Sequence, residues 1–581
     1  MTRVKTALTS LLLLASGTVF ADSSSDFRML LDEHWEWTLS NDPILASSIG
    51  DRRFNDQWQD RGVSAYERRH AERREFLRRV YAIERTALSD ADQLNYELFR
   101  RQLQDAVDLY RFRGYLMPFS HQGGIQNLEN TTNRLRLVTA QDFEDWIARL
   151  AGVDRLVDQH IELADAGRNA GLVAPRVLMQ RIRPQLDLQL VDSPQESPFY
   201  RLFESLPDSI PPEEQTRLRM AAVATIEKTV LPAYRKLARY FEREYLPSAR
   251  ASIGLSVLPD GEAWYELLSR SYTTTRMTPD DIHRIGLDEV KRIRGEMQSI
   301  IEELQFEGSF QDFLTFLRTD PQFYFDDPDA LYEAYLATSK RIDPELVKLF
   351  GTLPRMPYGV KPIPNSIAPD TTTAYYSRPA ADGSRAGIYW VNLYRPEVRP
   401  KYEIEVLSVH EAMPGHHLQI ALQQELGDMP MFRRFQGFTA FVEGWGLYSE
   451  RLGYDLGLYE DPYSRFGQLT YDMWRAVRLV VDTGMHHKGW TRQQAIDFFK
   501  ENAAKTEYDI INEIDRYISW PGQALAYKIG QLKILTLRER AEQRLGDRFD
   551  IRAFHDHLLG AGALPLDLLE LRMDAWLAEQ F

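Results

Sequence analysis

The chain has 581 residues, with 85 acidic side chains against 70 basic ones and no cysteine. Without cysteine there can be no disulfide scaffold, Cys-type zinc finger, iron–sulfur cluster or thiol enzyme. A formal charge of −15 argues against a general nucleic-acid binder, and 44% hydrophobic with 27% charged residues is a globular composition.

Residues 1–21 read as a secretory signal peptide. Arg3 and Lys5 form a basic start, an apolar run is centred on residues 11–15, and Val19-Phe20-Ala21 supplies a cleavage site. The run is too short for a membrane anchor, which needs about 20 apolar residues. With no cysteine to carry a lipid, the expectation is a periplasmic or secreted protein that is not a lipoprotein and does not insert into a membrane after cleavage. Loss of Arg3 and Lys5 takes the formal charge from −15 to −17.

The mature chain is predicted to be mainly α. Residues 30–38, 66–85, 94–110, 143–166, 215–245, 280–304 and 329–349 place apolar side chains at three- and four-residue spacing. Ser89-Asp90 marks one helix start. Thr278-Pro279-Asp280-Asp281 marks another, with a cap, a first-turn proline and first-turn acids. The Arg-rich run 68–79 reads as a solvated helix face, and 207–214 as a surface loop and candidate lobe boundary. Residues 351–400 hold eight of the 29 prolines. Within them 371–377 and 387–393 are β-branched and aromatic, joined through a glycine-containing connection at 380–385. They predict a small antiparallel sheet or hairpin.

The chemistry concentrates after that segment. Val409-His410-Glu411-Ala412-Met413-Pro414-Gly415-His416-His417 begins like a His-Glu-x-x-His helix, in which residues four apart share a face and bind one zinc. The fourth position is Pro414, not histidine. On a regular helix neither His416 nor His417 could share a metal with His410. Pro414 and Gly415 disfavour a regular helix, however, and a bulge that absorbs two residues returns His416 to the fourth position. His417 is the alternative. Glu443, in the apolar and aromatic run Phe441-Val442-Glu443-Gly444-Trp445-Gly446-Leu447-Tyr448, is the candidate third ligand, with Glu450 a weaker one. Glu411 is the candidate general base.

Taken together, residues 409–419, 441–448, 482–490 (Asp-Thr-Gly-Met-His-His-Lys-Gly-Trp) and 516–530 (Arg-Tyr-Ile-Ser-Trp-Pro-Gly-Gln-Ala-Leu-Ala-Tyr-Lys-Ile-Gly) resemble the bacterial DUF885 family. That family is grouped with gluzincin-type zinc metallopeptidases. The resemblance spans nearly the whole mature chain. It implies a large two-lobed helical body with a deep cleft, an N-terminal lobe over 22–350 and a catalytic part over 351–581 within one continuous domain. It also implies that the β segment binds substrate backbone and that a Gly-His pair closes the zinc helix, which favours His416.

Other residues in these motifs are candidates for supporting roles. His486, Tyr517 and Tyr527 could stabilise an oxyanion or touch substrate. Arg475, Arg478, Arg516 and Lys528 could anchor a peptide carboxylate. Trp445 and Trp520 read as packing residues. The resulting expectation is a zinc-dependent hydrolase of short peptides, an exopeptidase or dipeptidase, with His410, His416 and Glu443 on the metal. The competing readings are a non-catalytic periplasmic peptide-binding protein on the same fold, and a metallohydrolase of another amide.

Overall fold

The computed structural model describes the backbone of residues 4–581 apart from 366, 367, 369–371, 381, 382, 384, 428 and 436, and side chains from residue 23 onward. The signal-peptide reading falls on residues 1–21, outside the described side chains. Among the described residues no helix is long and apolar enough to cross a membrane. The chain divides into two compact units, Met1–Ser252 with Pro430–Phe432, and Ile253–Met429 with Arg433–Phe581.

The first unit is helical: α1 (Val4–Asn41), α2 (Val63–Tyr81), α3 (Asp90–Tyr110), α4 (Ala140–Ala151), α5 (Val153–Asn169), α6 (Pro212–Thr225) and α7 (Leu231–Tyr240). Ser89 caps α3 through the Asp92 amide, as expected. The predicted helix over 143–166 is two helices, parted at Gly152. The predicted 215–245 helix is continuous through π-type turns at Ile226–Val230 and Phe241–Tyr245. Residues 207–214 lie inside this unit and are not a boundary. The Arg-rich run is not wholly solvated either. Arg69 is buried, donates to the Asp60 carbonyl at 2.7 Å and lies over the Tyr66 ring.

The second unit contains α8 (Pro279–Glu303), α9 (Pro328–Ile342), β1 (Tyr358–Pro362), β2 (Ala374–Ser377), β3 (Gly387–Val391), α10 (Ile404–Glu411), α11 (His416–Glu425), α12 (Thr439–Leu452), α13 (Pro462–His486), α14 (Glu507–Ser519) and α15 (Ala526–Leu545). Thr278 forms the expected cap of α8, with reciprocal bonds to Asp281 and Pro279 in the first turn. Division at Ser252–Ile253 places α8 and α9 with the candidate site residues, whereas the sequence put 280–349 in the N-terminal lobe. The reason is packing of α8 along α13. A Cβ on Gly286 would lie 2.7 Å from Leu479 Cβ and 2.8 Å from Val480 Cγ2, so only glycine permits the approach.

The expected antiparallel pair is present as β2 and β3, with Ala374 opposite Val391 and Ser377 opposite Ile388. Thr371, in the predicted strand, lies outside the described residues. A third strand, β1, pairs parallel to β3 on its other side, giving the order β1-β3-β2. Pro362 within it and Pro357 just before it obscured it in the sequence. Pro362 ends the strand at a sheet edge, where a missing N–H is tolerated. Helices α12 and α15 then cross at near backbone contact. A Cβ on Gly444 would lie 2.5 Å from Gly530 Cα, and one on Gly530 would lie 1.9 Å from the Ala440 carbonyl oxygen. This crossing seats the Glu443 helix against the body of the unit.

Candidate metal centre

The chain leaves α10 at Glu411 and re-enters helix at His416. Between them the Gly415 amide donates to the Val409 carbonyl at 2.9 Å, six residues back, and the His417 amide to Ala412 at 3.1 Å, five back. A regular helix spans four. Ala412, Met413, Pro414 and Gly415 therefore form a bulge that takes up the extra residues. Gly415 is required there, because a Cβ would lie 1.9 Å from the His410 carbonyl oxygen. Trp445 Nε1–H donates to the Pro414 carbonyl at 2.9 Å and ties the bulge to α12.

The bulge brings His416 beside His410, with ring centroids 4.8 Å apart and the rings nearly perpendicular. His416 Nε2 lies 3.5 Å from Glu443 Oε2. One donor atom from each of His410, His416 and Glu443 lies within 4.8 Å of the other two. Gly446, one turn after Glu443, keeps this space open. A Cβ there would lie 2.9 Å from His410 Cε1, 3.1 Å from its Nε2 and 3.2 Å from His416 Cε1.

Buried Glu450 accepts a hydrogen bond from His410 Nδ1–H at 2.8 Å. With Nδ1–H as the donor the bond leaves the Nε2 lone pair free, the usual arrangement behind a metal-binding imidazole; burial lifts the Glu450 pKa to about 8. Glu450 thus orients a candidate ligand rather than being one itself; the sequence had it as a weaker candidate ligand. Burial and the charges of His416, Arg475 and Arg478 hold the His410 pKa well below the ordinary value, so it stays neutral. Burial raises the Glu443 pKa, but the His416 hydrogen bond and the charges of His416, Arg516 and Arg478 outweigh this and leave the carboxyl below its usual range. Glu411 differs. Burial, helped by the Glu443 charge, lifts its pKa despite opposing contributions from His416, Arg475 and a Tyr376 backbone hydrogen bond.

His417 faces the sheet. Its Nε2–H donates to the Met356 carbonyl at 3.0 Å, and its Nδ1 accepts from Tyr376 O–H at 2.8 Å. Both ring nitrogens are occupied, so of the two candidate second ligands the structure places only His416 in the cluster.

Residues 43–573 match the family described as "Bacterial protein of unknown function (DUF885)". The chain belongs to the DUF885 family. Two solved structures share the fold. "The crystal structure of the putative lipoprotein from Colwellia psychrerythraea" matches with a TM-score of 0.89 and 31% identity, over 96% of this chain and 99% of that one. "The structure of a putative lipoprotein of unknown function from Shewanella oneidensis" matches with a TM-score of 0.72 and 18% identity, over 95% and 99%, a likeness of fold alone. No curated protein matches the sequence.

The two later DUF885 motifs, 482–490 and 516–530, are pinned to each other. His486 is the last residue of α13, and it is fully buried. Its Nδ1 accepts from the Leu255 amide at 3.1 Å and its Nε2–H donates to the Tyr517 carbonyl at 3.0 Å. Neither nitrogen is left for substrate, which corrects the expected catalytic role. Asp482 accepts from Tyr265 O–H at 2.5 Å and from the Gly522 amide at 3.1 Å. Tyr517 is buried in a charged network rather than pointing at an oxyanion. Its hydroxyl donates to Glu513 at 2.6 Å and accepts from Arg478 Nε and Trp474 Nε1. Tyr527 lies beside Arg516, with 3.5 Å between its hydroxyl oxygen and Arg516 Nη2.

Of the predicted substrate cations, Lys528 is a structural residue. It is fully buried and bonds Asp472 at 2.6 Å, Gln531 at 2.8 Å and Glu289 at 3.1 Å. Arg475 is buried against Tyr471 and Trp474, with Glu450 3.9 Å away. Arg478 is buried on Glu513, while Arg516 is partly accessible. Trp445 packs as expected, but Trp520 is 47% exposed and bonds Tyr272. Sequence reasoning missed the roles of Glu450 and Gly446. The signal available was their spacing from Glu443, seven and three residues along one helix.

Proposed function

We propose that this DUF885 protein is an exported zinc-dependent hydrolase that cuts amide bonds in short peptides, with His410, His416 and Glu443 as ligands and Glu411 as the general base. The observation that carries this reading is the convergence of two imidazoles and one carboxylate within 4.8 Å, with Glu411 next in sequence to the first ligand. Two nitrogens and one carboxylate oxygen are a donor set typical of catalytic zinc. Donors about 2.1 Å from a tetrahedral ion lie roughly 3.4 Å apart, and His416 and Glu443 are 3.5 Å apart. When bound, zinc supplies Lewis-acid polarisation of a carbonyl and lowers the pKa of water.

The chain's own residues do the rest. Glu450 holds His410 through Nδ1 and leaves Nε2 for the site. Gly446 leaves room for both rings. Glu411, with its raised pKa, is suited to accept a proton and return it to the leaving amine. β2 is an edge strand whose Tyr376 backbone bonds Glu411, so an extended peptide paired along it would lie next to the base. The motif resemblance to gluzincin-type peptidases supports the same chemistry. Export is supported by the character of residues 1–21 and by the lipoprotein title of the 31%-identical Colwellia psychrerythraea structure, although this chain has no cysteine to carry a lipid.

Elemental analysis of tag-free protein tests the metal, and a peptide library tests the reaction. About one zinc per chain is expected. Glu411→Gln should keep the zinc and lose about 10²- to 10⁴-fold in cleavage rate, the usual worth of a general base. A chain that takes up no zinc at micromolar concentration, or a Glu411→Gln variant as fast as wild type, overturns the proposal.

A further inference from the structure

Arg475 and Arg478 are three residues apart on α13, and Glu513, Arg516 and Tyr517 share a face of α14. Glu513 accepts from Arg478 Nη2 at 3.1 Å, from Tyr517 O–H at 2.6 Å and from Arg516 Nη1 at 3.5 Å. Among the described residues it is the one carboxylate within 4 Å of either guanidinium. One negative charge therefore serves two positive ones. The remaining partners of Arg516 are neutral: Gln523 Oε1 at 2.9 Å and the Tyr527 hydroxyl at 3.5 Å. Arg475 adds a third guanidinium, with Glu450 at 3.9 Å, too far for a hydrogen bond.

The two guanidiniums differ in access. Arg478 is 3% exposed and its Nη1 is buried without a partner, whereas the Arg516 side chain is 20% exposed, as is that of Glu443. Arg475, three residues before Arg478 on the same helix, lies 3.9 Å from Glu450, which bonds His410 at 2.8 Å, so the surplus positive charge adjoins the candidate metal site. An arginine fork matches the planar geometry of a carboxylate. We infer that Arg516, backed by the buried charge of Arg478, is the contact residue of a subsite for a substrate carboxylate next to the metal centre. This inference rests on the hydrolase reading for its substrate. The carboxylate can be a peptide C-terminus, which would make the reaction removal of C-terminal residues, or an acidic side chain. Lys528 and Arg475 are not contact residues of the subsite, the first because it is locked in a buried ion network and the second because it sits behind His410 against Glu450.

Calorimetric titration of zinc-loaded Glu411→Gln protein tests the subsite with three probes: benzoyl-Gly-Phe, its C-terminal amide, and benzoyl-Gly-Glu amide. At least one carboxylate-bearing probe should bind about 10- to 100-fold tighter than the plain amide, the range for a charge-assisted pair. Tight binding of the first probe alone assigns a C-terminal carboxylate, and of the third alone an acidic side chain. Adding Arg516→Gln should reduce the favoured probe to the affinity of the plain amide and leave the amide unchanged. Arg516→Lys keeps the charge, guards against a loss of fold, and should retain part of the preference. Equal affinity for all three probes, an equal loss for acid and amide in Arg516→Gln, or no binding at millimolar concentration overturns the subsite. Zinc content and library cleavage are read separately. A zinc peptidase blind to carboxylates defeats the subsite and spares the hydrolase reading. A zinc-free chain that still discriminates through Arg516 does the reverse.

Discussion

Gly446 and His416 show how closely the candidate site depends on single atoms. A methyl group at position 446 would press on both imidazoles at 2.9–3.2 Å. Glycine also costs helix α12 about 1 kcal/mol relative to alanine. Gly446→Ala is therefore expected to weaken zinc binding by about tenfold or more, about 1.4 kcal/mol, and to lower the metal-free melting temperature too, because overpacking costs about 1–3 kcal/mol against the gain in helix propensity. Competition with a chromophoric chelator measures the first and calorimetry the second; wild-type zinc affinity would show that the rings have room to move. The two adjacent histidines should separate cleanly. His416→Ala should lose the metal. His417→Ala should keep it and lose about 1–3 kcal/mol of stability from two broken, partly buried hydrogen bonds. Metal lost only in His417→Ala would mean that the bulge delivers the other ring.

At the scale of elements, α8, α13 and α15 are joined by a buried charge network. Lys528 Nζ bonds Asp472, Arg292 reaches the same carboxylate at 3.0 Å, and Glu289 completes the set. Lys528→Met would leave Asp472 and Glu289 short of a partner and should cost about 3–5 kcal/mol in urea unfolding, the usual penalty for breaking a buried pair from one side. A loss under about 1 kcal/mol would mean that Arg292 alone satisfies both acids. Burial raises the Asp472 pKa, but Lys528 and Arg292 outweigh it and bring the carboxyl down to about 2 from an ordinary 3.8. A depressed folded pKa adds stability above the unfolded value and loses it as pH falls through the folded one. Asp472→Asn should therefore flatten the acid-unfolding profile between about pH 4 and pH 2; an unchanged slope there would exclude this carboxylate as a source of acid lability.

For the whole molecule, several buried histidines are kept neutral by desolvation. His34 and His160 in the first unit are pushed down to about 4; in the second unit His417 goes to about 4 and His555 to about 3. The unfolded chain binds these protons near pH 6.5 and the folded chain does not, so stability is complete above that value and falls as pH drops from 6.5 towards 4. Each group contributes a slope approaching 1.4 kcal/mol per pH unit. Urea midpoints measured from pH 7.5 to 4.5 should fall steadily below about 6.5. A flat profile would mean that these rings are solvated in the folded protein.

The sequence by itself determined the helical class, the cap at Thr278, the strands around 374–377 and 387–391, and the residue types of the candidate metal site. These rest on local periodicity, on capping chemistry and, with no cysteine present, on His and carboxylate as the available ligands. It also pointed to the bulge at Pro414-Gly415, because proline cannot continue the helix from His410. The tertiary structure alone decided the rest. It separated His416 from His417 by turning one ring towards Glu443 and the other towards Met356 and Tyr376. It made Glu450 an orienting group, Lys528 and His486 structural, and Arg516 the accessible cation. Partners of this kind are tens or hundreds of residues apart in the chain, and the close helix crossings that bring them together leave no periodic trace in the sequence.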